Sequence, residues 1–211
     1  MNAAATSRPL RVFAVVPAAG RSARMGRSKL LLPWNRDGRG ERTLIEHVLS
    51  RWHAVAGLTV VVTVRRDDAE LAAVCRAAGA EVVQPALDPP DMKASIRAGL
   101  EYLCTKHAPA DDDVWLTAPA DLPELSPTVV EHLLQAYDRA RPTIFRPQHA
   151  DRFGHPTLFP WSTANELASI PADRGLDFLF ERLPFTTVAM GRECLADDVD
   201  TPADYRRLHD R

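Results

Sequence analysis

Cysteine is scarce in this chain, with three among 211 residues: Cys75, Cys104 and Cys194. Their number is odd, their spacing is long and no CxxC pair exists. The pattern predicts reduced thiols and no disulfide framework. Net charge is nearly absent, because 26 Lys and Arg face 28 Asp and Glu, leaving −2. That excludes the broad basic field with which proteins gather nucleic acid or anionic lipid, so neither is expected as a partner. Long apolar runs are missing too. None approaches the roughly 18 residues of a membrane-spanning helix. Met1 to Arg11 lacks the apolar centre of a secretion signal. These absences together predict a protein of the cytoplasm. Two familiar phosphate loops are also missing. No Gly-x₄-Gly-Lys-Ser/Thr occurs, and no Gly-x-Gly-x-x-Gly, which argues against a dinucleotide-dependent oxidoreductase.

What is present is an ordinary globular composition, 45% apolar and 26% charged. Residues 1–10 read as a disordered start and 11–211 as a single domain. Val12 to Val16 is a short apolar run that suits a strand buried on both faces. Thr43 and Glu46 stand at capping-box spacing, and Leu44, Ile45, Val48, Leu49 and Trp52 then form a helical stripe. Strands are expected at 58–64, 80–83 and 114–117, with helices opening near Asp67, running from about Asp91 to Leu103, and opening at Ser126-Pro127. This alternation predicts a mostly parallel sheet covered on both faces. Beyond residue 140 the pattern is irregular, with short strands expected near 143–145, 157–159 and 186–188 and helices near 161–169 and 174–182. Trp34, Trp52, Trp115 and Trp161 are scattered, and packing is their expected role.

The stretch from Ala18 to Lys29 (AAGRSARMGRSK) carries the most chemistry. In an open α/β sheet, ligands bind outside the carboxyl ends of strands, so a loop leaving the first strand is well placed. Gly20 and Gly26 let backbone N–H groups approach an anion. Arg24 offers a planar fork for phosphate oxygens, and Lys29 a mobile point charge.

The spacing resembles the Gly-x-Ser-x-Arg-Met-Gly-x-x-Lys loop of nucleotidyltransferases. Further pieces follow in order: Lys29-Leu30-Leu31-Leu32-Pro33, Met92 to Leu100 (MKASIRAGL), Asp121-Leu122-Pro123, Gly154-His155-Pro156 and Asp198-Val199-Asp200-Thr201-Pro202. Taken together, residues 12–207 resemble the molybdenum-cofactor nucleotidyltransferases, the MobA/MocA-like group. The resemblance implies a three-layer α/β/α Rossmann-like nucleotidyltransferase fold (GT-A-like), with residues 11–140 binding NTP and 141–211 on the acceptor side. It implies transfer of a nucleoside monophosphate from an NTP to a phosphorylated small molecule or cofactor such as molybdopterin, with Mg²⁺ as cofactor. Ala18-Ala19-Gly20 leans towards CTP, with GTP the alternative.

By the same resemblance, Lys29 would hold the α-phosphate and Arg24 the β- and γ-phosphates. Ala18, Ala19, Gly20, Arg21 and Ser22 would cradle the nucleotide, and Ser95 would lie by the base or ribose. Asp121 and Asp200 would bind Mg²⁺, while His155 and Asp198 would face the acceptor. No Ser/His/Asp constellation is needed, because a phosphate monoester, with a second pKa of ~6, is already an anionic nucleophile. One segment departs from the family. Members often carry Gly-Asp-x-Gly-Ala-Arg where this chain has Ala172-Asp173-Arg174-Gly175-Leu176-Asp177, an anion in place of a cation. Val15 to Gly20 also resembles the isoprenoid-pathway cytidylyltransferases. An isoprenoid or sugar-phosphate nucleotidyltransferase is therefore one alternative, and a non-catalytic nucleotide-binding regulator of the same fold is another.

Overall fold

Residues 12–17 form a strand (β1, Val12–Pro17) whose side chains alternate between two apolar layers. Ala14 and Val16 join one layer, and Phe13 and Val15 the other. The same alternation recurs in β2 (Leu58–Thr63), where Val60 and Val62 oppose Val61, and in β4 (Val114–Thr117), where Val114 and Leu116 oppose Trp115. Strands buried on both faces need helices on both sides, and the chain supplies them. The protein is described here by a computed structural model that covers residues 8–21, 28–35 and 42–210.

Helices α1 (Leu44–His53), α2 (Ala69–Ala77), α4 (Pro127–Ala136) and α6 (Pro202–His209) bring Leu44, Leu71, Val129 and Leu208 to the first layer. α3 (Met92–His107), a 3₁₀ stretch at Trp161–Ser169 and α5 (Asp177–Arg182) bring Ile96, Leu167 and Leu179 to the second. The architecture is the expected three-layer α/β/α.

The eight-stranded sheet runs β3-β2-β1-β4-β7-β5-β6, with β8 paired to β5. β3 is Glu81–Val83, β5 Ile144–His149, β6 Arg152–Phe153, β7 Thr157–Pro160 and β8 Phe185–Ala189. β1 pairs in parallel with β2 (Val15 opposite Val61) and with β4 (Val15 opposite Thr117). β7 runs antiparallel between β4 and β5, and Trp115 stacks on Phe159 across that join at 4.2 Å. From β1 the chain moves outward through β2 and β3, then returns to the other side of β1 as β4. That reversal creates a crevice at the carboxyl ends of β1 and β4, where ligands of such sheets bind.

Local chemistry explains the element ends. Thr43 and Glu46 close a reciprocal capping box at α1. Asp68 caps α2, one residue after the expected Asp67, and Asp91 caps α3. α3 runs four residues beyond the expected Leu103, to His107, where Glu81 meets both Lys106 and His107 at 3.2 and 3.0 Å. Of the start expected to be disordered, residues 1–7 lie outside the described residues, whereas Arg8 is held by Asp112 and Asp113 at 3.0 and 2.6 Å. All four tryptophans are buried, as expected. No described helix is long and apolar enough to cross a membrane.

Two glycines permit close approach. A Cβ on Gly99 would stand 2.6 Å from Val15 Cγ1, so α3 sits flush on β1 only with glycine there. A Cβ on Gly154 would stand 2.0 Å from the Cys194 carbonyl oxygen. The backbone neighbour cannot rotate away as a side-chain tip would, so Gly154→Ala should cost about 3 kcal/mol, the upper end of overpacking penalties. Urea unfolding checks this, and a loss below about 0.5 kcal/mol would mean that residue 194 yields freely.

Candidate active site

The crevice at the ends of β1 and β4 is a cleft of about 630 Å³. Its floor is the segment leaving β1. The Ala18 N–H continues the ladder to the Thr63 carbonyl at 2.9 Å. The next three amides, of Ala19, Gly20 and Arg21, donate to no described residue. Ala18 and Ala19 are buried while Gly20 and Arg21 are exposed, and all four line the cleft. Consecutive unsatisfied amides at a strand end form a concavity suited to anions. Ser22 and Arg24 lie outside the described residues.

Across the cleft, Lys29 projects from a 3₁₀ turn (Lys29–Leu31) anchored by the buried Leu30. Its Nζ donates to Asp121 Oδ2 and, at 3.0 Å, to Asp200 Oδ1. Asp121 lies in the loop that leaves β4, after Ala118, Pro119 and Ala120. Asp200 comes from 79 residues later in the chain (200 − 121), yet the Val199 N–H donates to the Asp121 carbonyl at 3.1 Å and lays the two segments side by side. The Thr201–Asp204 capping box then starts α6, whose Tyr205 hydroxyl donates to the Pro33 carbonyl beyond the Lys29 turn. Burial pulls the Lys29 ammonium down, but its hydrogen bonds to Asp121 and Asp200 outweigh that and hold its pKa above the ordinary 10.5. The amine is therefore cationic at neutral pH.

The other sequence candidates separate into two groups. Asp198 lines the same cleft as Asp121 and Asp200. Ser95 also lines it, but is only 3% exposed, and its hydroxyl donates to the Asp91 carbonyl at 3.1 Å. His155 instead lines a smaller neighbouring cavity of about 270 Å³ that Asp198 does not line. Met92 and Pro119 line both spaces, so the cavity adjoins the cleft. Burial, and then the nearby Arg146, push His155 below its ordinary 6.5, with Asp121 and Asp198 opposing.

Two cleft residues, Asp88 and Arg65, were assigned no role from the sequence. Asp88 takes an ion pair from Arg21 at 3.0 Å, tying the Pro-rich stretch before α3 to the β1 loop. Arg65 also lines the cleft. Its position just past β2 was a readable signal, because it leaves the same sheet edge as the β1 loop.

A row of open amides and a lysine suit a polyphosphate. Two carboxylates converging on one nitrogen equally suit a small hard cation held jointly with phosphate oxygens. Among the described residues no three metal-binding side chains cluster, so a cation here would complete its shell with water or phosphate oxygens. Such a cleft, at the reversal point of a doubly covered sheet, is that of a nucleotide-binding α/β protein. The family model described as the MobA-like NTP transferase domain matches residues 14–188, and the chain belongs to that family. It is thus a nucleotidyltransferase of the MobA-like family.

No curated protein sequence matches the chain significantly. Among solved structures, Rv0371c from Mycobacterium tuberculosis H37Rv is 28% identical, covering 95% of this chain and 99% of that one at a TM-score of 0.74. Its complex with manganese, also 28% identical, covers 95% and 98% at a TM-score of 0.71. Molybdopterin-guanine dinucleotide biosynthesis protein A from Archaeoglobus fulgidus shares the fold at 21% identity, covering 94% and 97% at a TM-score of 0.68.

The depressed His155 pKa sets a pH dependence. Its contribution to stability is complete above the ordinary value of 6.5, where both states are neutral. It is lost as pH falls from there through the lower folded value, because the unfolded chain binds the proton first. In urea unfolding at pH 7.5 and 5.0, the wild type should lose more stability than His155→Gln. Equal losses would show that the ring titrates normally.

Proposed function

We propose that this protein transfers a nucleoside monophosphate from an NTP, CTP first and GTP second, to a phosphorylated small molecule such as molybdopterin, with release of pyrophosphate. The observation that carries this reading is Lys29 held between Asp121 and Asp200 at the lip of the β1–β4 crevice. An acceptor phosphate oxygen would form a bond to the α-phosphorus while the bond from that phosphorus to the bridging oxygen breaks and pyrophosphate departs.

The amides of Ala19, Gly20 and Arg21 would orient the triphosphate, and Lys29 would offset the charge gathering on the α-phosphoryl oxygens. Such fixed charges do most of the work in phosphoryl transfer. Arg24, by family resemblance, would hold the β- and γ-phosphates. Asp121 and Asp200 would hold Mg²⁺, and the donor set fits, since that ion takes one or two carboxylates and completes its shell with phosphate and water. When bound, it would neutralise charge on the phosphates. The manganese complex of the 28% identical Rv0371c supports a divalent ion. Lys29 would exchange a carboxylate for a phosphate when substrate enters. His155 and Asp198 would face the acceptor. Free cysteines are consistent with a reducing cytoplasm.

Thermal unfolding with CTP, GTP, ATP and UTP, each with and without Mg²⁺, tests the nucleotide assignment. One Mg²⁺–NTP at 100 times its Kd should stabilise by about 2.7 kcal/mol. No shift with any would leave the fold without this function. Asp121→Ala should lower ion-dependent pyrophosphate release by about 10²-fold or more, the scale of losing one electrostatic stabiliser. Release at the wild-type rate would remove Asp121 from the ion site. Nucleotide binding without turnover on any phosphorylated acceptor would favour the regulator instead.

A further inference from the structure

The 270 Å³ cavity beside the cleft holds a cation that lacks a hydrogen-bonding partner. Arg146, on β5, places its guanidinium carbon 3.7 Å from the ring centre of Phe153 and 3.8 Å from that of Phe180. The rings fix the guanidinium plane, leaving its N–H groups to bond along the edge. Yet no described residue accepts a hydrogen bond from the Arg146 guanidinium or pairs with it, and its Nε, the one guanidinium nitrogen that is fully buried, has no partner. Native proteins rarely leave such donors unmet. His155 Nδ1, in the same cavity, is also buried and unbonded. The other cation lining the cavity, Lys93, is engaged by the carbonyls of Pro171, Ala172 and Arg174 at 2.6, 3.2 and 2.9 Å.

Asp177 lines this cavity as well. Burial pulls the Arg146 pKa below its ordinary value, and Asp177 opposes this through space without pairing with it.

We propose that Arg146 is the oxyanion anchor of the acceptor pocket, and that the acceptor is a compact, flat, largely apolar molecule carrying a phosphate or carboxylate. The adjoining apolar walls, Ile96, Leu176 and Phe180, would take its body. The volume sits near the low end for ligand sites, roughly 300 Å³ and upward, so a single small ring system fits and a second nucleotide does not. That the occupant is an acceptor rests on the nucleotidyltransfer reading of the neighbouring cleft. The anchoring by Arg146 does not.

Calorimetric titration of the full chain with phenyl phosphate, benzoate and neutral benzyl alcohol tests this. At least one of the two oxyanions should bind the wild type about tenfold or more tighter than the alcohol, the scale of a hydrogen bond to a charged group. Arg146→Met should erase that difference, and Arg146→Lys should restore only part of it, since lysine lacks the fork. The stronger effect on phenyl phosphate or on benzoate identifies the anion. Lys29→Met should leave the preference intact, which separates this pocket from the phosphate cleft. Oxyanion binding that survives Arg146→Met, depends on Lys29, or is no tighter than the alcohol would overturn the anchor. Should Arg146→Met fail to fold, Arg146→Lys decides, because undiminished oxyanion binding there is also incompatible with a forked anchor. If no NTP shifts the wild-type melting temperature, the nucleotidyltransfer reading fails while the probe result stands. Intact NTP binding with indifferent probes removes the anchor alone.

Discussion

β1 sits between β2 and β4, and its pairing with both places two chain segments at one edge of the sheet. Residues 18–21 leave β1 there, and residues 118–121 leave β4 beside them. The pairing is secured from both faces, because Phe13 and Val15 pack on one layer while Ala14 and Val16 pack on the other. At the far end of the same strands Asp113, fully buried, takes Arg8 and Arg11 at 2.6 and 2.8 Å. Without that register, neither the open amides nor Asp121 would meet Lys29.

The C-terminal segment completes the site from a distance. A single backbone bond, Val199 N–H to the Asp121 carbonyl, aligns Asp200 with Asp121. α6 then locks this alignment through Leu208 in the core and Tyr205 against Trp34 at 5.7 Å. The same helix thus positions a carboxylate on one side of Lys29 and braces the turn that carries Lys29 on the other. Gly154 serves the second cavity in a comparable way. It admits the Cys194 backbone, whose carbonyl accepts the His155 N–H at 2.9 Å.

The strands of the first half were legible because burial on both faces writes continuous apolar runs into the sequence. The capping box at Thr43 was legible because its chemistry is local. The extension of α3 to His107 was not, since its support is Glu81 on a different element. β5 was expected to stop at Phe145 but continues through Arg146 and Pro147 to His149. Its polar residues show no alternation, and its extent follows from parallel pairing with β8, from Ile144 opposite Phe185 to Gln148 opposite Ala189.

By itself the sequence determined the layered α/β architecture, the loop after the first strand, and the candidacy of Lys29, Asp121 and Asp200. The architecture and the loop follow from periodicity and turn chemistry, which act over short spans of chain, and the candidate residues from the family resemblance of short motifs in order. Tertiary structure alone decided that Lys29 bridges both carboxylates, that Ser95 bonds its own helix, and that His155 lines a different space from Asp198. It alone placed Arg146 between Phe153 and Phe180 without an acceptor. Those facts depend on side chains from separate strands and helices meeting across the sheet edge, and no short-range pattern encodes which of them will touch.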